Sequence, residues 1–285
     1  MDLINGLANG LFDILLRPLE GLGALVTLTV VSLVFMPLSM LFFKRFSSQK
    51  GITAAKGKIK GHMIEIRIYQ DDLLVVMTAI GKVLWYNLKY LFLNFAPFVP
   101  LSVPFVIVVA QLVVRFGFAP IPVEERHLDD LIPGQGVMIE VEFAQGSEAK
   151  AAELELGLPE GLAALSPLVR NAADGVAFQE VVAVADGAWD VQLNVGGETE
   201  TKRVVTGETT ERSMQPFRVG GFWDQWLWPA EPTFSAASGL ATVAVAYPDR
   251  SLAWMMDGAG GVFIMFVIVA FIIGGAAIKV FDIQI

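Results

Sequence analysis

Side chains able to do covalent chemistry are few and far apart. Two histidines occur in 285 residues, His62 in a lysine-rich stretch and His127 in an acidic one, and there is no cysteine. Nucleophilic catalysis needs a nucleophile within reach of a base, and metal-assisted hydrolysis needs clustered ligands at fixed spacing. Neither pattern is present: there is no His-Glu-x-x-His, Walker loop, Gly-x-Ser-x-Gly elbow or dinucleotide fingerprint. Glu124-Glu125 and Asp129-Asp130 could hold a divalent cation weakly, but between prolines and glycines they read as a solvated linker. The expectation is a protein that is not an enzyme and carries no metal or cofactor. Without cysteine, neither a disulfide framework nor a redox compartment can be read.

The residue types that carry information are instead lysines between apolar runs and polar side chains within them. Lys44–Tyr90 holds nine basic against three acidic residues, a net +6, with Lys44, Arg45, Lys50, Lys56, Lys58, Lys60 and Arg67 in its first half. Ala119–Asp257 holds eight basic against twenty-two acidic residues, a net −14, in a chain whose overall charge is −9. Around these loops the chain is apolar, with 54% hydrophobic residues and a mean hydropathy of +0.59. Residues 22–43 and 258–281 are long enough, at about 1.5 Å per residue, to cross a bilayer core of about 30 Å. Residues 91–118 are a third candidate, kinked by Pro97, Pro100 and Pro104, with its membrane core near 98–118 and Arg115 snorkelling to the interface.

The positive-inside rule places residues 44–90 in the cytoplasm and residues 119–257 outside. The expected protein is therefore a multi-pass protein of the cytoplasmic (inner) membrane with an extracytoplasmic N-terminus. Asp2, Asp13 and Glu20 precede the first apolar run with only Arg17 against them, so no removable signal peptide is expected and the first span is retained. In residues 1–21, Leu3, Leu7, Leu11, Ile14 and Leu15 recur at helical spacing; this segment either lies flat on the outer leaflet or extends the first span.

Within the basic segment, Ile52, Ile59 and Ile66 recur at seven, with Ala55 and Met63 between them, as on one face of an amphipathic helix. Gly51, Gly57 and Gly61 each cost such a helix about 1 kcal/mol relative to alanine, and "IEIRIY" alternates like a strand. Asp71-Asp72 has the chemistry of a cap for a second helix, giving a helical hairpin that turns near residues 70–72.

The order of these features resembles the YidC-type membrane protein insertase superfamily over about residues 21–117. Similarity rests on Pro37-Leu38 in the first span, Ser47-Ser48-Gln49 after it, "KGKIK" at 56–60 and "YQDD" at 69–72. A three-span form is closest to the archaeal homologues and the related subunit of the endoplasmic reticulum membrane complex. That resemblance implies a hairpin that receives substrate and a polar groove in the membrane. Bacterial members carry an arginine five residues before the proline, where this chain has Ser32. A weaker groove would then be lined by Thr27, Thr29, Ser32, Asn87, Asn94 and Gln111; the bland role for such residues is to bond a neighbouring helix.

Residues 119–257 contain short alternating runs separated by turn signals, as in an immunoglobulin-like β-sandwich, although its cysteine pair is absent. Phe222, Trp223, Trp226 and Trp228 fall within seven residues, and Trp254 precedes the last span; tryptophan favours the membrane interface. The fold expected is thus an α-helical membrane protein with three transmembrane helices and an extracytoplasmic all-β domain. Its expected work is insertion or assembly of membrane proteins, or an accessory role in a larger membrane complex. Its expected partners are membrane lipids, other membrane proteins and, through the hairpin, a ribosome or nascent chain, but not DNA.

Overall fold

The computed structural model describes residues 2–253 and 256–280. Among these described residues six α-helices are formed: α1 Asp2–Leu16, α2 Ala24–Phe46, α3 Gln49–Ile68, α4 Leu73–Phe95, α5 Phe98–Phe116 and α6 Gly258–Val280. Among the same residues three helical stretches are long and apolar enough to cross a membrane, Ala24–Phe46, Leu73–Phe116 and Gly258–Ala276. The protein is thus laid out as a membrane protein carrying a β-sheet domain. Two compact units divide the chain: the part up to Leu28 with Val106–Met265, and Thr29–Phe105 with the part from Phe266 on.

In the first unit, α1 does not run on into α2. A six-residue 3-10 helix, Arg17–Leu22, opens with Pro18 near its start and ends at Gly23, whose φ of 77° a side chain would oppose. The β-domain follows α5. Its larger sheet has the order β3-β5-β1-β9-β8, from β3 Leu162–Ala164, β5 Val176–Ala183, β1 Val137–Phe143, β9 Leu240–Val245 and β8 Phe217–Val219, with β4 Val169–Asn171 also on β5. A smaller sheet joins β2 Glu155–Gly157, β6 Gly187–Val195 and β7 Glu198–Thr206, and β10 Ser251–Ala253 pairs with β11 Met256–Asp257. The pairings between these strands are antiparallel. Gly196 and Gly197, at φ 56° and 88°, close the β6–β7 hairpin as their Gly-Gly signal predicts.

Alternation builds the core. Ile139, Val141 and Phe143 of β1 turn inward while Met138 and Glu142 face out. One cluster unites them with Val181 of β5, Val191 and Leu193 of β6, Val204 of β7 and Val243 of β9, so both sheets share one interior. Truncating any of the larger aliphatic members to alanine would cost about 2–5 kcal/mol.

In the second unit, α3 and α4 form the antiparallel hairpin, and Asp72 caps α4 by accepting hydrogen bonds from Leu74 N (3.0 Å) and Val75 N (3.2 Å). Ile52, Ala55 and Ala79 are buried in its seam, and His62 stacks on Tyr86 with centroids 5.6 Å apart. The alternating "IEIRIY" stretch is helical through Ile68, because the period of about 3.6 that puts Ile52, Ile59 and Ile66 on one face prevails over the local period of two. The return arm α4 leads into α5, the two making up the apolar helical stretch Leu73–Phe116, and the chain breaks at Ala96-Pro97 between them. Leu73, Met77, Ile80, Leu84, Leu88, Leu91 and Phe95 leave one whole face of α4 exposed and apolar. Phe35 and Phe105 both meet Phe266, with ring centroids 5.7 and 5.8 Å apart.

Candidate functional site

A polar constellation in the first unit joins α1 to the end of α5. Asn9 and Asp13 are four residues apart on α1, and Gln111 and Arg115 four apart on α5, so each pair shares a helix face. Gln111 Nε2 donates to Asn9 Oδ1 (2.7 Å), and Arg115 donates to Gln111 Oε1, to Asn9 O (3.3 Å) and to Asp13 Oδ1 (2.6 Å). Phe12 lies under the guanidinium, 5.9 Å from Cζ to the ring centroid. Arg115 is therefore buried at 6% exposure and does not snorkel. The physical reason is that α1 supplies a carboxylate and a carbonyl at the depth where water would otherwise have been needed.

Behind α1 lies a cavity of about 730 Å³ whose walls include Asn9, Asp13, Arg115, Arg203, Gln215 and Glu231. Lys202, fully buried beside it, donates to Gln215 O (2.7 Å) and to Glu231. Burial pushes the Lys202 ammonium down, and the Glu231 carboxylate opposes that only in part. Arg218 donates to Glu200 (2.9 Å), Pro232 O (2.8 Å) and Thr201 O. Arg203 bonds Asp190 (3.1 Å). These charges are matched within the domain, so the arrangement can brace it. Of the buried donors without a partner among the described residues, Arg115 Nε and Gln215 Nε2 belong to residues that line the cavity. The cavity is polar and roomy enough for water to satisfy them.

The six groove candidates fall in two places. Thr27 and Gln111 lie in the first unit; Thr29, Ser32, Asn87 and Asn94 lie in the second. Thr27 donates its hydroxyl to Gly23 O (2.9 Å), and Asn87 and Asn94 donate their side-chain amides to Val83 O (2.9 Å) and Tyr90 O (2.8 Å), while Ser32 is buried. Gln111 bonds a side chain of another element, Asn9 of α1. On the hairpin, Lys58, Lys60 and Arg67 are exposed and Lys56 lies over the Tyr90 ring at 5.6 Å. Lys44, Arg45 and Lys50, at the end of α2 and the start of α3, are exposed as well.

The aromatic run divides. Phe222 and Trp223 are exposed, but Trp228 turns inward against Phe217 (4.9 Å between centroids) and Phe118 (6.3 Å), joining the core's edge. Trp226 is half-buried in the 3-10 turn Asp224–Trp226, and Trp254 lies outside the described residues. Glu124, a candidate cation ligand, is turned onto Arg126 (2.8 Å), which holds its carboxyl down to about 2.

Sequence reasoning weighed Gln111 and Arg115 separately and assigned no role to Asn9 or Asp13. Their signal was the matching four-residue spacing of polar pairs in two apolar helices, which shows that each pair shares a face but not that the faces meet. No protein-family model matches the chain, and no curated protein or solved structure matches it either.

Proposed function

We propose that this protein assists the insertion or assembly of other membrane proteins, as a relative of the YidC-type insertases with its hairpin in the cytoplasm and its β-domain outside the inner membrane. The observation that carries the reading is the capped α3–α4 hairpin set between apolar helices, with Lys58, Lys60 and Arg67 turned outward. Exposed lysines in that position suit a ribosome, a nascent chain or anionic headgroups. The two sheets around one core support an immunoglobulin-like reading of the β-domain.

Photo-crosslinkers at Lys58, Lys60, Ser32 and Asn94 in translating membranes test it. Hairpin adducts with ribosome or nascent chain, and substrate adducts near Ser32 and Asn94, are expected; silence at all four sites in active membranes sinks the reading. A second reading, an accessory subunit of a fixed membrane complex, is favoured by one observation. Gln111 and Arg115, which could have dressed a groove, are bonded by the chain's own α1. It requires stoichiometric partners after mild detergent extraction, and a clean monomer excludes it.

A further inference from the structure

The helix α1 is amphipathic in the inverted sense. A surface helix of a water-soluble domain ordinarily buries its apolar stripe and shows its polar one. Here every polar side chain of α1 is engaged within the first unit: Asp2 by Gln225 and Thr233, Asn5 by Gln225 O (3.3 Å), Asn9 by Pro229 O (3.0 Å) and Asp13 by Arg115. What it turns outward is aliphatic: Leu3, Leu7, Leu11 and Ile14, spaced four, four and three residues apart, with Leu3 77% and Ile14 73% exposed. The carbonyl that Asn5 holds belongs to the turn that presents Phe222, Trp223 and Leu227, of which Trp223 is 78% exposed. Helix and turn therefore make one apolar surface of a kind rarely left in water.

We propose that α1 and the Phe222–Leu227 turn form a single foot that lies in the headgroup–acyl boundary of a lipid bilayer and seats the β-domain there. This rests on reading α2 as a membrane span and adds a second, surface-lying attachment to it. Three observations favour lipid over a protein partner. Only the 3-10 helix and Gly23 separate α1 from α2, and six residues at about 2.0 Å each cover about 12 Å, so the foot starts close to where the span begins. The outward stripe of α1 carries no side-chain donor or acceptor, whereas protein interfaces carry about one hydrogen bond per 100–200 Å². An indole ring beside an aliphatic stripe also suits the headgroup level, where its N–H stays wet. The charges nearby are Asp2, Asp13 and Asp224 against Arg17, so attachment comes from apolar burial and not from attraction to anionic lipid.

The absence of cysteine from the chain makes the test clean. Single cysteines replace Leu7, Leu11 or Trp223 in the full chain, with Phe271→Cys on the exposed face of α6 and Glu198→Cys on the β-domain as references. Each is spin-labelled and reconstituted into neutral phosphatidylcholine vesicles, and collisions with oxygen and with a water-soluble nickel chelate are compared. Foot labels are expected to favour oxygen several-fold, as Phe271→Cys does and Glu198→Cys does not, and to be unmoved by high salt or added anionic lipid. Nickel access at the foot equal to that at Glu198→Cys, with Phe271→Cys still in lipid, overturns the foot and leaves the span reading standing. Exclusion of both reagents at the foot means a protein covers it, and also overturns the proposal. Water access at Phe271→Cys overturns the span reading itself, and the foot with it.

Discussion

The two units answer the same problem, a polar side chain in an apolar helix, in opposite ways. In the second unit the answer is local: Asn87 and Asn94 donate to the carbonyls of Val83 and Tyr90, Thr78 to Leu74 O (2.8 Å) and Ser102 to Val99 O (2.7 Å). Each bond closes within one turn of the same helix and survives whatever lies outside it. In the first unit the answer reaches further: Gln111 bonds Asn9 and Arg115 bonds Asp13, each 102 residues away in the chain. A locally closed group permits any neighbour, lipid included, whereas a distantly closed one demands a particular neighbour and so dictates where α1 docks.

Substitutions that separate the two kinds should differ sharply. The largest effect is expected for Arg115→Met, which strands Asp13 and Gln111. Breaking a buried ion pair costs about 3–5 kcal/mol, and because the Asp13 side chain is 46% exposed and can turn to water, about 2–3 kcal/mol is expected. A lowered thermal midpoint in detergent reads it, and adding Asp13→Leu should restore part of the loss. Next comes Gln111→Leu, which removes one cross-link but leaves Arg115 on Asp13. It should cost about 1–2 kcal/mol, seen as faster amide exchange in α1 with the β-domain unaffected.

Acidification should act more weakly and on α1 alone. Burial pushes the Asp2 carboxyl up, but hydrogen bonds from Gln225 and Thr233 outweigh it and hold Asp2 below its ordinary value. A depressed carboxylate contributes to docking above its undocked pKa of about 3.9 and stops contributing as the pH falls through the docked value. Amide exchange at the start of α1 should therefore rise below about pH 4, and Asp2→Asn should remove that acid step. The smallest effect is expected for Asn87→Leu, within about 0.5 kcal/mol of no change. A loss there as large as that of Arg115→Met would erase the distinction between the units.

Much of the architecture was legible because its causes are local. Hydropathy marked the apolar helices, the seven-residue recurrence of Ile52, Ile59 and Ile66 marked α3, the carboxylate of Asp72 marked the start of α4, and alternation marked β1, β5, β6, β7 and β9. Three-residue strands such as β3 and β8 escaped notice, since they are held by pairing with β5 and β9 and not by any pattern of their own.

The sequence by itself determined what each segment could be: which stretches are apolar, where helices begin, and that Asn9 with Asp13, and Gln111 with Arg115, share a face. Periodicity and charge are properties of neighbouring residues, so they are readable without a partner. Only the tertiary structure decided what those faces meet. It turned the polar side of α1 toward the β-domain and the aliphatic side outward, buried Arg115 against Asp13, and drew Trp228 in while leaving Trp223 exposed. The direction an amphipathic helix faces depends on which surface offers it matching hydrogen bonds, and that surface exists only once the chain between them has folded.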